Sequence, residues 1–244
     1  MTEPFEEPGK GILVSGVFGP TLQGEGPSAG QRCGFLRLGG CNLSCRWCDM
    51  PYTWDWWGIS DEGRAYDPRV ELASRRPADI LRELLAMNVD LVVISGGEPL
   101  RQQKNIIPLL YELRGREISV EIETNGTIAP DREIIELGVR FNVSPKLSHS
   151  GDPGYRRIKP DVLTVLTRTP GVVFKFTCRS RNDLDEVASL EEDLKIDPIW
   201  ITPEGKNATD INRRLSDLSD EVVRRGWNLS PRLHVLAWED RRRF

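Results

Sequence analysis

The stretch Gly34-Phe35-Leu36-Arg37-Leu38-Gly39-Gly40-Cys41-Asn42-Leu43-Ser44-Cys45-Arg46-Trp47-Cys48 decides how the rest of the chain is read. Its first five residues form a short apolar run stopped by two glycines, the pattern of a buried strand. Its last eight form a C-x-x-x-C-x-x-C. The same order, an apolar run and then a polar or Gly-rich cluster, recurs along the sequence. Further runs rich in Val, Ile and Phe span 91–95, 118–123, 140–144, 172–177 and 198–202, with a last strand expected at about 229–236. Between them, 78–87, 106–113, 132–137, 183–194 and 210–225 carry apolar residues at helical spacing, as with Ile80, Leu81, Leu84 and Leu85. Pro77 suits a first helical turn and Thr209 an N-cap. Strand–helix alternation implies a parallel sheet. Six or seven units fall short of the eight that close a full barrel. The expected fold is therefore α/β, a partial (open) (β/α) barrel of about six parallel strands, with a doubly wound sheet as the alternative. Residues 1–244 read as a single domain, with an N-terminal extension at about 11–32 and an insertion after the cysteine loop at about 49–76.

Parallel sheets place ligands at the C-terminal ends of their strands. Here those ends carry the cysteine loop, Ser95-Gly96-Gly97-Glu98-Pro99, Glu123-Thr124-Asn125-Gly126, Ser144-Pro145-Lys146, Lys175 with Thr177, Thr202-Pro203-Glu204-Gly205, and His234. Polar loops after strands are ordinary one at a time. A run of them bearing Cys, Glu, Lys and Asn points to one site built by the whole sheet.

The chain has 33 Lys+Arg against 37 Asp+Glu, a net charge of −4, which argues against nucleic acid as the main partner. No stretch approaches the roughly 20 apolar residues of a membrane span. Residues 1–10 are acidic and Pro-rich, without the basic and apolar regions of a signal peptide, so a cytoplasmic protein is expected. In that reducing compartment five cysteines, four of them between 33 and 48, suggest metal or redox chemistry rather than disulfides. Three thiolates at such spacing are one short of a closed zinc site and one short of a fully ligated [4Fe–4S] cluster. A zinc site with Cys33 as fourth ligand is the alternative, but Cys33 lies across a whole strand from the others.

The C-x-x-x-C-x-aromatic-C, followed after the next strand by Gly-Gly-Glu, resembles the radical S-adenosylmethionine (SAM) superfamily. The resemblance implies a [4Fe–4S] cluster on Cys41, Cys45 and Cys48, with the amino and carboxylate groups of SAM on the open iron and reduction cleaving SAM to a 5′-deoxyadenosyl radical. It places Trp47 near the adenine, Gly96 and Gly97 near the methionyl amino group, and Ser144, Pro145 and Lys146 at the ribose or carboxylate. Glu98 and Glu123 belong to the same site or are structural carboxylates.

Longer stretches resemble one family within it, the 7-carboxy-7-deazaguanine synthases. They are Phe18-Gly19-Pro20-Thr21-Leu22-Gln23-Gly24-Glu25-Gly26, Phe35 to Leu43, and Cys48-Asp49 with Tyr52-Thr53-Trp54-Asp55. Glu123 to Thr127, Ser144 to Lys146, and Leu233-His234 match as well. This resemblance implies a lyase that converts 6-carboxy-5,6,7,8-tetrahydropterin to 7-carboxy-7-deazaguanine with loss of ammonia, in the 7-deazapurine (queuosine) pathway. It implies a homodimer, a flavodoxin or ferredoxin as reductant, and magnesium near the substrate carboxylate. The extension then binds substrate through Leu22, Gln23, Gly24 and Glu25, joined by Arg37, Ser95 and His234. Gln23 both donates and accepts and Glu25 accepts, as a pterin edge requires. Arg37 offers a fork for a carboxylate, or else pairs with an internal Asp or Glu. His234 is a ligand or a satisfied core histidine.

One position departs from the family. Where a Thr or Ser hydroxyl usually follows Cys-Asp, this chain has Met50, and a thioether ligates a hard cation poorly. Trp54, Trp56 and Trp57 are expected to pack the insertion, Cys33 and Cys178 to be packing residues, and Arg241 to Arg243 to form a solvated terminus. Two other readings remain at this point: a glycyl-radical-enzyme activase, which shares the cysteine triplet, and a zinc-stabilised, non-catalytic binding module.

Overall fold

A computed structural model describes residues 11–239, 241 and 242; the 1–10 segment and Arg243 lie outside them. Nine strands form one sheet: β1 (Ile12–Leu22), β2 (Arg32–Leu38), β3 (Ala73–Arg75), β4 (Leu91–Gly96), β5 (Ser119–Thr124), β6 (Arg140–Val143), β7 (Val172–Cys178), β8 (Ile199–Pro203) and β9 (Asn228–Leu229). Their spatial order is β3-β1-β2-β4-β5-β6-β7-β8-β9. Every pairing from β2 to β9 is parallel, whereas β1 runs antiparallel to both β2 and β3. β3 and β9 are the two edges, so the sheet stays open, as the unit count implied. The parallel strands are covered on both faces, which is why they read as continuous apolar runs. Leu91, Val92, Val93 and Ile94 are all fully buried.

Nine helices accompany the strands among the described residues: α1 (Pro68–Glu71), α2 (Pro77–Ala86), α3 (Gln103–Arg114), α4 (Arg132–Glu136), α5 (Gly154–Arg157), α6 (Pro160–Thr167), α7 (Arg181–Leu194), α8 (Ala208–Arg224) and α9 (Leu233–Trp238). Pro77 starts α2, which buries Ile80, Leu81 and Leu84. α8 is capped by Asn207, whose side chain accepts from the Asp210 N–H, and not by Thr209. The core gathers Phe141, Phe174 and Phe176 with Leu36, Leu38, Ile94 and Ile122. Each such side chain contributes roughly 1.5–3 kcal/mol on burial.

Two expectations change. The strand expected at 229–236 stops at Leu229. Pro231 has no N–H to continue a ladder, and Arg232 turns inward to the partly buried carboxylates of Glu25 and Asp49. The chain then coils into α9, so His234 stands on a helix. The extension also proves to be a strand of its own. Register shifts at Val14/Gly16 and Phe18/Thr21 break the alternation of β1, which hides its period in the sequence.

Candidate active site

The cysteine loop leaves β2 through Gly39-Gly40 and rests on the end of β4. Gly97 donates its N–H to Leu38 O at 3.0 Å and Glu98 donates to Gly40 O at 2.9 Å. A Cβ on Gly96 would lie 2.1 Å from Leu38 O, and one on Gly97 would lie 1.9 Å from Gly40 O. These two glycines are thus required first by the loop itself, because two backbones touch there.

The loop turns N–H groups toward its sulfurs. Leu43 N–H approaches Cys41 Sγ at 3.5 Å, and Cys48 Sγ accepts from Met50 N–H at 3.4 Å and from Trp54 Nε1 at 3.3 Å. Burial pushes the Cys41 thiol up to about 11 and the Cys48 thiol to about 12, and raises Cys45 as well. Thiols so placed become ligands only where metal charge offsets their burial. Three such donors in one loop fit a [4Fe–4S] cluster with one iron left open. Among the described residues no three His, Cys, Asp or Glu side chains close on a single metal ion. Cys33 is fully buried on β2 with Leu91 and Val93, so it does not complete a zinc site. Cys178 is likewise a core residue.

The thiols open on a cavity of about 220 Å³ at the C-terminal ends of the strands. Leu22, Gln23, Gly24, Glu25, Arg37, Trp47, Ser95, Gly96, Gly97, Glu123, Ser144, Lys146 and His234 all line it, with Cys41, Cys45 and Cys48. Two expected residues do not. Pro145 is buried beside Gly126. Glu98 is fully buried and accepts from Leu100 N–H, Asn125 N–H and Thr124 Oγ1 at 2.7–3.0 Å. Burial raises its carboxyl, and its three donors oppose that rise without cancelling it. Glu98 is therefore a structural carboxylate that ties β4 to β5.

A chain of charges also lines the cavity and ends at Asp49, next to Cys48. Lys175 lies between Glu123 at 2.6 Å and Glu25 at 2.8 Å, with 6% of its side chain exposed. Arg232 donates Nε to Glu25 at 2.7 Å, Nη1 to Gly205 O at 2.8 Å and Nη2 to Asp49. Burial alone would raise the Glu25 carboxyl, but Lys175 and Arg232 overcome it and hold it well below the usual carboxylate range. Asp49 is lowered in the same way by Arg232. His234 is driven down to about 4 by burial and by Arg232, so it is neutral at pH 7. Gln23 spends its amide inside the protein: Nε2 donates to Glu121 at 3.2 Å and Glu123 at 3.1 Å, and Oε1 accepts from Gly24 N–H. Its side chain thus bridges two carboxylates while lining the cavity. Asn142 adds a third donor to Glu123 at 2.9 Å, beside Lys175 and Gln23.

Two cations remain available. No carboxylate among the described residues pairs with Arg37, so the internal ion pair considered above is not formed. Arg37 donates Nη1 to Tyr52 Oη at 2.5 Å, and its buried Nε has no partner. Lys146 donates to Ser144 Oγ at 2.8 Å and lies 5.7 Å from the Trp47 ring, with no carboxylate in ion-pair distance among the described residues. The insertion's tryptophans divide. Trp54 is buried on Cys48 Sγ, whereas Trp57 is 76% exposed and packs little. At the C-terminal end Arg241 and Arg242 are exposed, as expected of a solvated terminus, but Arg242 also stacks 3.9 Å from the Tyr52 ring and pairs with Glu71 at 3.2 Å. The sequence alone marks Lys175 without giving it a role, and does not single out Arg232. A lone Lys in an apolar strand is the available signal for the first.

An open parallel sheet with three thiols at its C-terminal edge defines a class, and residues 36–162 match the Radical SAM superfamily. The 7-carboxy-7-deazaguanine synthase of Pyrobaculum aerophilum is 31% identical over 91% of this chain and 93% of its own length. That of Bacillus cereus is 29% identical over 95% and 98%. QueE from Escherichia coli shares the fold, with a TM-score of 0.67 at 23% identity over 92% of this chain and 95% of that one. The chain belongs to the 7-carboxy-7-deazaguanine synthase family of radical SAM enzymes.

Proposed function

We propose that the protein converts 6-carboxy-5,6,7,8-tetrahydropterin to 7-carboxy-7-deazaguanine, releasing ammonia, as a radical SAM carbon–nitrogen lyase of 7-deazapurine biosynthesis. One observation carries the reading: a single cavity is lined both by Cys41, Cys45 and Cys48 and by the Gln23-Gly24-Glu25 turn with His234. Together the cluster and SAM supply the one-electron chemistry that opens the rearrangement.

The protein's own groups bind and orient. Lys146 and Ser144 offer a cation and a hydroxyl on the thiol side, suited to the carboxylate of an amino acid moiety. Arg37, with a free buried Nε, suits the substrate carboxylate as a two-pronged donor. Glu25 and Glu123 flank Lys175, and their carboxylates offer acceptors for the N–H donors of a 2-aminopyrimidinone edge. Neutral His234 presents an uncharged ring to the same edge.

The donor set does not favour magnesium. Asp49 is engaged by Arg232, and Met50 lines the cavity where a hydroxyl would be needed. Turnover with and without magnesium should therefore be nearly equal, and a strict requirement would overturn this point. The function itself is tested by anaerobic incubation with SAM, dithionite and the carboxypterin, followed by chromatography. Absence of a deazaguanine product from protein with a full cluster would sink it.

A further inference from the structure

Glu123, Lys175, Glu25, Arg232 and Asp49 form one line of alternating charges along the cavity. Each carboxylate of this line already has a cation. The Arg232 side chain is 9% exposed and has every nitrogen engaged. Nε donates to Glu25, which follows β1; Nη1 donates to Gly205 O, which follows β8; Nη2 donates to Asp49, which follows β2. His234 completes these surroundings, its Nε2 at 3.4 Å from Nη2. The guanidinium is thus a cation fixed by three separate loops before any ligand binds. A hard divalent ion beside the cysteine loop would need the Asp49 carboxylate, because such ions take oxygen donors. The neighbouring position offers only the thioether of Met50. Seating the ion on Asp49 would set two like charges side by side, or expel Arg232 and strip Glu25 and Gly205 O of a partner. The missing hydroxyl and the seated guanidinium point the same way.

We propose that Arg232 is the built-in cation of this site: its guanidinium takes the place at Asp49 that a divalent metal would otherwise hold, and it presents a fixed positive charge to a substrate carboxylate. Arg232 is a positioning residue. It holds Asp49 and Glu25 in one orientation but, unlike a metal ion, offers no coordination position to an incoming oxygen. The substrate carboxylate is then gripped by N–H donors, for which Arg37 has a buried Nε without a partner. The substrate half of this assignment rests on the carboxypterin reading; the competition between Arg232 and a metal for Asp49 does not.

The probe is Mn²⁺, titrated into anaerobically reconstituted holoenzyme without reductant or pterin, with the free ion read by electron paramagnetic resonance. The parent should show no saturable site. Met50→Thr alone should behave as the parent, because the guanidinium still holds Asp49. The double variant Met50→Thr/Arg232→Gln releases Asp49 beside a hydroxyl and should bind the ion about tenfold or more tightly than the parent. Adding Asp49→Asn to it should abolish that site. In steady-state assays Arg232→Gln should raise KM for the carboxypterin more than it lowers kcat. Magnesium should restore turnover of the double variant and leave that of the parent unchanged; a residue that only braces the fold would not be rescued by an ion. Lys206→Ala, which breaks the neighbouring bridge to Glu62, should match the parent throughout. Saturable manganese binding by the parent or by Met50→Thr, no site in the double variant, or no rescue by magnesium where the parent is active would each overturn the proposal. Met50→Thr keeps Arg232 and so decides the matter even where Arg232→Gln does not fold. The titration needs no turnover. Should the parent form no deazaguanine product while manganese binds only the double variant, the function fails and the cation site stands. Should product form while parent and double variant bind manganese alike, the cation site fails and the function stands.

Discussion

Lys175 stands in a strand otherwise made for the core, and its ammonium is matched by two carboxylates within 2.8 Å. Removing one partner of a buried charge group leaves the others uncompensated, at about 3–5 kcal/mol. Lys175→Met should therefore lower the unfolding free energy measured by denaturant titration by that order, with Lys175→Arg recovering part of it. His234 makes a pH prediction. Its folded value of about 4 lies below the ordinary value near 6.5, so between them the unfolded chain binds a proton that the folded chain does not. Stability should fall as pH drops through that window, and urea midpoints of His234→Gln should fall less. Glu25 and Asp49 titrate lower than ordinary carboxylates, so their contribution is lost only at more acid pH. Trp54→Phe removes an N–H from Cys48 Sγ, and loss of such an outer partner weakens metal binding by roughly 10–100-fold. A chelator should strip iron from that variant faster than from the parent; equal rates would make the tryptophan a packing residue after all.

Among the elements, β1 and α9 meet where the sequence was least legible. Leu233 donates its N–H to Gly24 O at 2.8 Å, and a Cβ on Gly24 would lie 1.9 Å from His234 Nδ1. Gly24→Ala must push α9 away from the Gln23-Gly24-Glu25 turn. The expected result is a raised KM for the pterin with the visible absorption of the cluster unchanged, measured by steady-state kinetics and spectroscopy. The central strands were readable because burial on both faces leaves unbroken Val, Ile and Phe runs bounded by Gly, Pro and Asn. β1 was not, since its irregular register spoils the period on which such readings depend. α9 reads as strand because Leu233, Val235 and Leu236 suit either state. Pro231, which cannot extend a ladder, and the long-range pull on Arg232 decide between them.

For the molecule as a whole, an open sheet leaves a gap between its two ends, and side chains bridge it above the cavity. Residues from after β2 meet residues from after β8 and β9: Asp49 bonds Arg232, which follows β9 and also holds Gly205 O after β8, and Glu62 pairs with Lys206 at 2.8 Å. The openness could be counted from the sequence, but these bridges could not, because they join positions 144 and 183 residues apart and leave no local pattern. The two bridges differ in weight. Glu62 and Lys206 are each about a third exposed, so their pair is worth at most about 1 kcal/mol. Arg232 is buried and holds Glu25, Asp49 and Gly205 at once. Arg232→Met should thus cost several times more than Lys206→Ala, about 3–5 kcal/mol. It should also speed amide hydrogen exchange together at the loop after β2 and the loop after β8, because the same guanidinium holds both. Faster exchange at only one of them would mean that each end of the sheet is held by its own packing and that Arg232 acts locally on Glu25.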